Sequence, residues 1–122
     1  MENFIDVISF IENLETKYES VIRISIGSTF YRAICFETES DAIVRFGFEM
    51  LHELQNLVCV VVTKGNATVG TVLENELIPF VAGKVVERCD ECIANGEFGK
   101  CYLDESIQDK LQIDDPNIVV IK

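Results

Sequence analysis

The sequence predicts an α+β fold in which an antiparallel or mixed β-sheet is covered by helices, and three observations carry that expectation. The chain opens on a helical repeat, with Phe4, Val7, Ile8, Ile11, Leu14 and Tyr18 on one face and acidic residues on the other. The β-branched run from Leu57 to Thr63 is too apolar to alternate and reads as a strand buried on both faces. Hairpin-like strand pairs and helices then follow one another irregularly, without the regular alternation of a wholly parallel sheet.

The elements follow in order. Residues 3–19 fit a helix, although FIDVISF taken alone also fits a strand, and the sequence leaves both open. Val21 to Ile26 alternates, and Gly27-Ser28 turns the chain into a second strand from Phe30 to Phe36. Thr38 to Asp41 offers caps for a helix from Ala42 to Gln55, whose apolar side is Ile43, Phe46, Phe48, Met50, Leu51 and Leu54. Gly47 lowers the propensity of that helix and so marks a close packing contact. After the strand at 57–63, Lys64-Gly65-Asn66 turns into Ala67 to Leu73, expected as its neighbour, and a third strand is optional in LIPFVAG. A helix runs from Gly83 to about Ala94 and closes at Asn95-Gly96. Residues 100–103 are strand-like, Asp104 to Ser106 caps a helix over 106–112, and 117–121 is a closing strand.

The length of 122 residues, with 48% of them apolar, suits a single domain over 1–122 that needs no disulfide staples. The formal net charge is −11, and the ten basic residues form no patch. That balance argues against nucleic acid or an anionic bilayer as a partner, since both need clustered Lys and Arg to displace counterions. No apolar run approaches the roughly 20 residues of a membrane span. The acidic start MENFIDVISF is unlike a signal peptide, so a cytoplasmic location is expected. So high an apolar fraction in so short a chain also suggests surface left over for self-association.

Five cysteines make a disulfide framework improbable in this setting. Cys35 and Cys59 lie in apolar runs, where a thiol packs as a small hydrophobe. Cys89, Cys92 and Cys101 begin with the C-x-x-C spacing of metal or thiol-exchange sites, but the i, i+3 relation places Cys89 and Cys92 on the buried face of a helix. A closed zinc site wants four ligands, and a fourth is not evident nearby. Core packing is therefore the preferred reading and metal the alternative.

Familiar catalytic motifs are missing: there is no G-x-x-x-x-G-K-[ST], no G-x-G-x-x-G after a strand and no H-E-x-x-H. The sole histidine, His52, sits between Leu51 and Leu54 as a helix-surface residue. The acidic pairs Asp104-Glu105 and Asp114-Asp115 border loops and read as capping or turn residues.

Taken in order, IRISIGSTFYRAICFE, SDAIVRFGFEMLHEL, VCVVVTKGNATVG, IPFVAGKVVERCDEC and GKCYLDESI resemble the later part of a class III nucleotidyl cyclase catalytic domain, over about residues 21–111. The resemblance implies a cyclase-like fold with a ferredoxin-like core, pairing of two such domains, and a site in which two carboxylates hold two Mg²⁺ ions on a nucleoside triphosphate. Such ions require hard oxygen ligands.

The departures from that pattern decide what is expected of the chain. Ser28 stands in the hairpin turn where the resemblance implies a carboxylate, and a neutral hydroxyl is a poor metal ligand. Asp6 matches the other carboxylate only if residues 3–10 form a strand. Aligning Gly83 to Val86 with the family's G-x-x-V puts Glu87 at an Asn position and Glu91 at the position of an Arg that meets the transition state. A carboxylate there repels the charge that an Arg would stabilise. Arg88 lies one turn away from Glu91, while Lys64 reads as a solvated hairpin residue and Lys84 is flanked by acids.

Two readings follow. The preferred one is a cyclase-like domain without catalysis and without a cofactor, a dimerising or regulatory module whose partner is a second copy or another protein. The alternative is a nucleotide-binding or nucleotide-converting enzyme that uses Mg²⁺ at a reorganised site of Asp6, Ser28, Lys64 and Arg88.

Overall fold

The computed structural model describes residues 4–27, 29–73 and 77–122. Its elements are α1 (Phe4–Lys17), β1 (Ile22–Ile26), β2 (Tyr31–Ile34), α2 (Ser40–Leu54), β3 (Val60–Val62), β4 (Thr68–Leu73), β5 (Leu77–Ala82), α3 (Lys84–Asn95), β6 (Cys101–Asp104), α4 (Glu105–Leu111) and β7 (Ile118–Ile121). Short 3-10 turns bracket α2 at Glu37–Glu39 and Gln55–Leu57. Among the described residues, no helix is long and apolar enough to cross a membrane.

Of the two conformations open to the N-terminus, the chain adopts the helix. Ile11 and Leu14 of α1 are buried against Phe46, Met50 and Leu54 of α2, with Val21 closing the cluster. A polar clamp ties the same helix to the first hairpin. Arg23 donates to both oxygens of Glu15 at 2.7 and 2.6 Å, and the Tyr31 hydroxyl donates to Glu15 at 2.7 Å. Burial opposes ionisation of Glu15, but the Arg23 and Tyr31 hydrogen bonds outweigh it and hold the carboxyl below its usual range.

The strands form three separate ladders among the described residues. β1 and β2 pair antiparallel with an irregularity between Arg23 and Ser25, and β4 pairs antiparallel with β5 from Thr68↔Ala82 to Leu73↔Leu77. β3, β6 and β7 make a parallel three-stranded sheet in that order. The content is α+β with strands of both senses, as expected, and the optional third strand in LIPFVAG is real.

The expected pairing of 67–73 with 57–63 does not occur. α3 claims the chain leaving β3: the Thr63 hydroxyl donates to the Val85 carbonyl at 3.2 Å, and Gly65 lies against Val85 so closely that a Cβ would come within 3.0 Å of it. β4 turns instead onto β5, the sequence neighbour whose pairing closes only a short loop.

Helix α2 serves two cores. Its Phe46, Met50 and Leu54 face α1, while Val44 and Leu51 join Val62 of β3, Cys101 and Leu103 of β6 and Ile107 of α4. Gly47 is the close contact the sequence marked, since a Cβ there would meet Val60 Cγ1 at 2.9 Å. The expected side-chain cap at Thr38 to Asp41 is absent: Glu39 is the N-cap residue and makes no such hydrogen bond.

In α3, Gly83 at φ +140° precedes the first turn, a conformation that favours glycine, with the Asn66 carbonyl 3.2 Å from where a Cβ would be. The expectation that Cys89 and Cys92 both face the core is corrected, because no residue of α3 is fully buried. The parallel ladder explains this. Val60, Val62, Cys101, Leu103 and Ile118 share the face turned to α2 and α4, whereas α3 lies on the opposite face, and both cysteines there remain half-buried.

Candidate functional site

Because β3, β6 and β7 run parallel, their C-terminal ends meet at one edge, where open parallel sheets present a crevice. Lys64 follows β3, Asp104 ends β6 and Lys122 follows β7. Asp104 organises this edge. It is buried, an uncommon state for a carboxylate, and four donors surround it. The Arg88 guanidinium on α3 donates to one oxygen, which also accepts the Lys64 backbone N–H at 3.3 Å. The other oxygen accepts the Ser106 N–H at 3.3 Å and the Ser106 hydroxyl at 3.1 Å, so Asp104 also caps α4 as expected. Burial raises the cost of its charge, yet the Ser106, Arg88 and Lys64 hydrogen bonds together hold the Asp104 carboxyl below the ordinary carboxylate range.

Two open grooves flank this hub. The first, about 380 Å³, is lined by Arg88, Asp104, Glu105, Ser106, Asp109 and Lys122. The second, about 300 Å³, runs between α3 and the sheet past Arg88, Glu91, Cys92, Asn95, Tyr102 and Ile121. Arg88 borders both. The first groove thus sets three carboxylates against two cations, one of which is spent on Asp104, a field that repels a phosphate arriving without a metal.

The candidate residues are distributed as follows. Lys64 and Arg88 converge on Asp104, through a backbone N–H and a side chain respectively. Asp6 is exposed on α1, in the half of the molecule built on the first core, and not on a strand beside the hairpin. Ser28 lies outside the described residues. Glu87 and Glu91 are exposed on α3, and His52 is exposed on α2 as expected. Among the described residues, no group of three or more His, Cys, Asp or Glu side chains is arranged to hold a metal. The sequence reading took Asp104 for a cap alone. Its pairing with Arg88, sixteen residues away across a helix and a strand, leaves no local signal.

An α+β chain with a hairpin after its first helix, a second helix behind the hairpin, a strand-turn-strand segment and a Gly-opened helix on a short parallel sheet has the fold of a nucleotidyl cyclase catalytic domain. Two solved structures make the likeness concrete. One is the catalytic core of a rhodopsin-guanylyl cyclase with converted specificity in complex with ATPαS, at TM-score 0.66 and 9% identity over 88% of this chain. The other is the guanylate cyclase domain of RhGC from Catenaria anguillulae in complex with GTP, at TM-score 0.67 and 9% identity, also over 88% of this chain. The chain spans 65% and 66% of those two chains, a little under two thirds of their length. No protein-family model and no curated protein matches it in sequence. The domain is therefore cyclase-like in fold, and the likeness extends no further than fold.

Proposed function

We propose that this is a non-catalytic cyclase-like domain acting as a dimerising or regulatory partner-binding module. The observation that carries the reading is the ion pair of Arg88 with Asp104. The cation on α3 one turn from the aligned transition-state position is taken up by a structural carboxylate, while Glu87 and Glu91 present negative charge at the aligned positions themselves. Asp6 supports it further, because a helix at 4–17 puts that carboxylate on an exposed turn.

A second reading, nucleotide binding with Mg²⁺, draws on the groove at Asp104, where Lys64 and Arg88 converge beside Ser106 and Lys122. Calorimetry of the purified protein with ATP and GTP, each with Mg²⁺ and with Mn²⁺, separates the two when paired with an assay for cyclic nucleotide. The proposed module gives neither heat of binding nor product. Cyclic nucleotide made by the unmodified protein and lost in Asp6→Ala would sink the non-catalytic reading.

A further inference from the structure

We propose that the apolar surface formed by Leu57, Ile93 and Phe98, where the chain enters β3 and β6, docks a cationic amphipathic helix of another protein. The inference rests on the module reading above and names the partner's chemistry.

Three large apolar side chains stand open at this end of the sheet, Leu57 at 62% exposure, Ile93 at 45% and Phe98 at 71%. The backbone brings their segments together. The Gly99 N–H donates to the Val58 carbonyl at 2.8 Å and the Val60 N–H to the Lys100 carbonyl at 3.1 Å, so the chain entering β3 runs beside the chain entering β6. The end of α3 lies on both. A Cβ on Gly96 would come within 2.6 Å of the Cys59 sulfur and 3.1 Å of the Tyr102 ring, and Ile93 is one helical turn before Gly96. Single apolar residues on a surface are ordinary, but a group contributed by three separate segments marks a place where a partner fits.

The turn that presents Leu57 is strained. Gln55, two residues earlier, has φ +48°, in the left-handed region that side chains other than glycine rarely adopt, and its N–H donates to the Leu51 carbonyl. Backbone of this kind persists at a cost and collects at sites with a task. It carries Leu57 away from the core that Leu54, three residues before it, still joins.

Charge selects the occupant. Exposed Glu53 in the last turn of α2, exposed Glu91 on α3 and exposed Glu97 beside Phe98 rim the patch, against half-buried Lys100, in a chain of net charge −11. A two-fold pair of copies joined here would set carboxylate rim against carboxylate rim, and nucleic acid or an anionic bilayer would meet the same repulsion. A helix with an apolar stripe flanked by Lys and Arg satisfies both parts of the surface. Its apolar anchors cover Leu57, Ile93 and Phe98, and its cations face the three carboxylates.

The probe is a fluorescent helical peptide of leucine and lysine with one apolar face, read by anisotropy at physiological ionic strength, and its leucine–glutamate counterpart is the control. The unmodified protein should bind the first and not the second. Leu57→Ser with Phe98→Ser should bind roughly tenfold more weakly or worse, with unchanged circular dichroism because both side chains are exposed. Glu53→Lys with Glu97→Lys should weaken binding roughly threefold to tenfold. Glu39→Lys with Asp41→Lys makes the same charge change at the other end of the 15-residue α2, about 20 Å off and beyond a Debye length of about 8 Å, and should alter binding less than about twofold. Absence of binding overturns the proposal, as does full binding by Leu57→Ser with Phe98→Ser, or equal weakening by the distant charge pair. A dimer seen by sedimentation and lost in Leu57→Ser with Phe98→Ser would make the occupant a second copy and overturn it too. In each of these cases the module reading stands with a different contact, and its own failure is read separately, in cyclic nucleotide formation.

Discussion

Arg88 on α3 donates to the carboxylate of Asp104 at the end of β6, and this one ion pair joins the helix to the C-terminal edge of the parallel sheet. Its pH behaviour follows from the depressed Asp104 pKa. A carboxyl whose folded pKa lies below its unfolded value contributes stability above the unfolded value and loses it as pH falls through the folded one. Asp104→Asn should thus cost about 2 kcal/mol at neutral pH, because the buried donors lose their charged acceptor. Arg88→Met should cost about 1 kcal/mol, since Ser106 and the Lys64 N–H still hold the carboxylate. Urea titrations from pH 7 to pH 3 check both: the gap between wild type and Asp104→Asn should narrow toward the acid end. A gap that widens there would contradict the assignment.

Gly47 is required by its neighbour and not by its backbone. Gly47→Ala gains about 1 kcal/mol of helix propensity but drives a Cβ to 2.9 Å from Val60 Cγ1, on a β-branched side chain with little freedom to yield. The net effect should be a loss of about 1–2 kcal/mol, as for other overpacked cores. In a Val60→Ala background the same substitution should be neutral or stabilising by thermal melting.

The thiols should be slow to react. Burial raises the pKa of all five cysteines and pushes fully buried Cys101 up to about 12, so little thiolate is present at neutral pH. Iodoacetamide should label the folded protein far more slowly than the protein in urea, with Cys101 last. Elemental analysis should find no stoichiometric zinc, and one zinc per chain lost on Cys92→Ser would overturn the reading of these thiols as free of metal.

Restoring the charges that the cyclase resemblance implies should not restore catalysis. Ser28→Asp with Glu91→Arg supplies a turn carboxylate and a helix cation, but Asp6 stays on α1 and not on a strand beside that turn. Cyclic nucleotide formation with Mn²⁺ should remain absent from the double variant. Its appearance would mean that the N-terminal segment reaches a strand conformation in solution.

Elements whose determinants are local were legible in the chain. The amphipathic spacing of Ile11 and Leu14, the apolar side of α2, the glycine before α3 and the Asp104 cap each depend on residues within one or two turns of one another. They appear in the structure close to where the pattern placed them. Even Gly47 announced its contact, because an isolated glycine in a helix interior needs a reason. The misreadings concern partners. The sequence paired 67–73 with β3 and put both Cys89 and Cys92 into the core. Gly96 ends α3 where expected, at φ −78°, and glycine is demanded there by the Cys59 sulfur, 2.6 Å from where a Cβ would sit.

The sequence by itself determined the α+β class, most of the order of helices and strands, and the apolar faces that drive them together, because periodicity and turn chemistry act over a few residues. It also determined the acidic field and the missing carboxylate at Ser28, which are matters of composition and position. Only the tertiary structure decided that β3, β6 and β7 form a parallel sheet in that order and that Arg88 is spent on Asp104. Each of those depends on which distant segments a chain brings together, and that choice is made by the packing of whole faces, through contacts that no local window of residues contains.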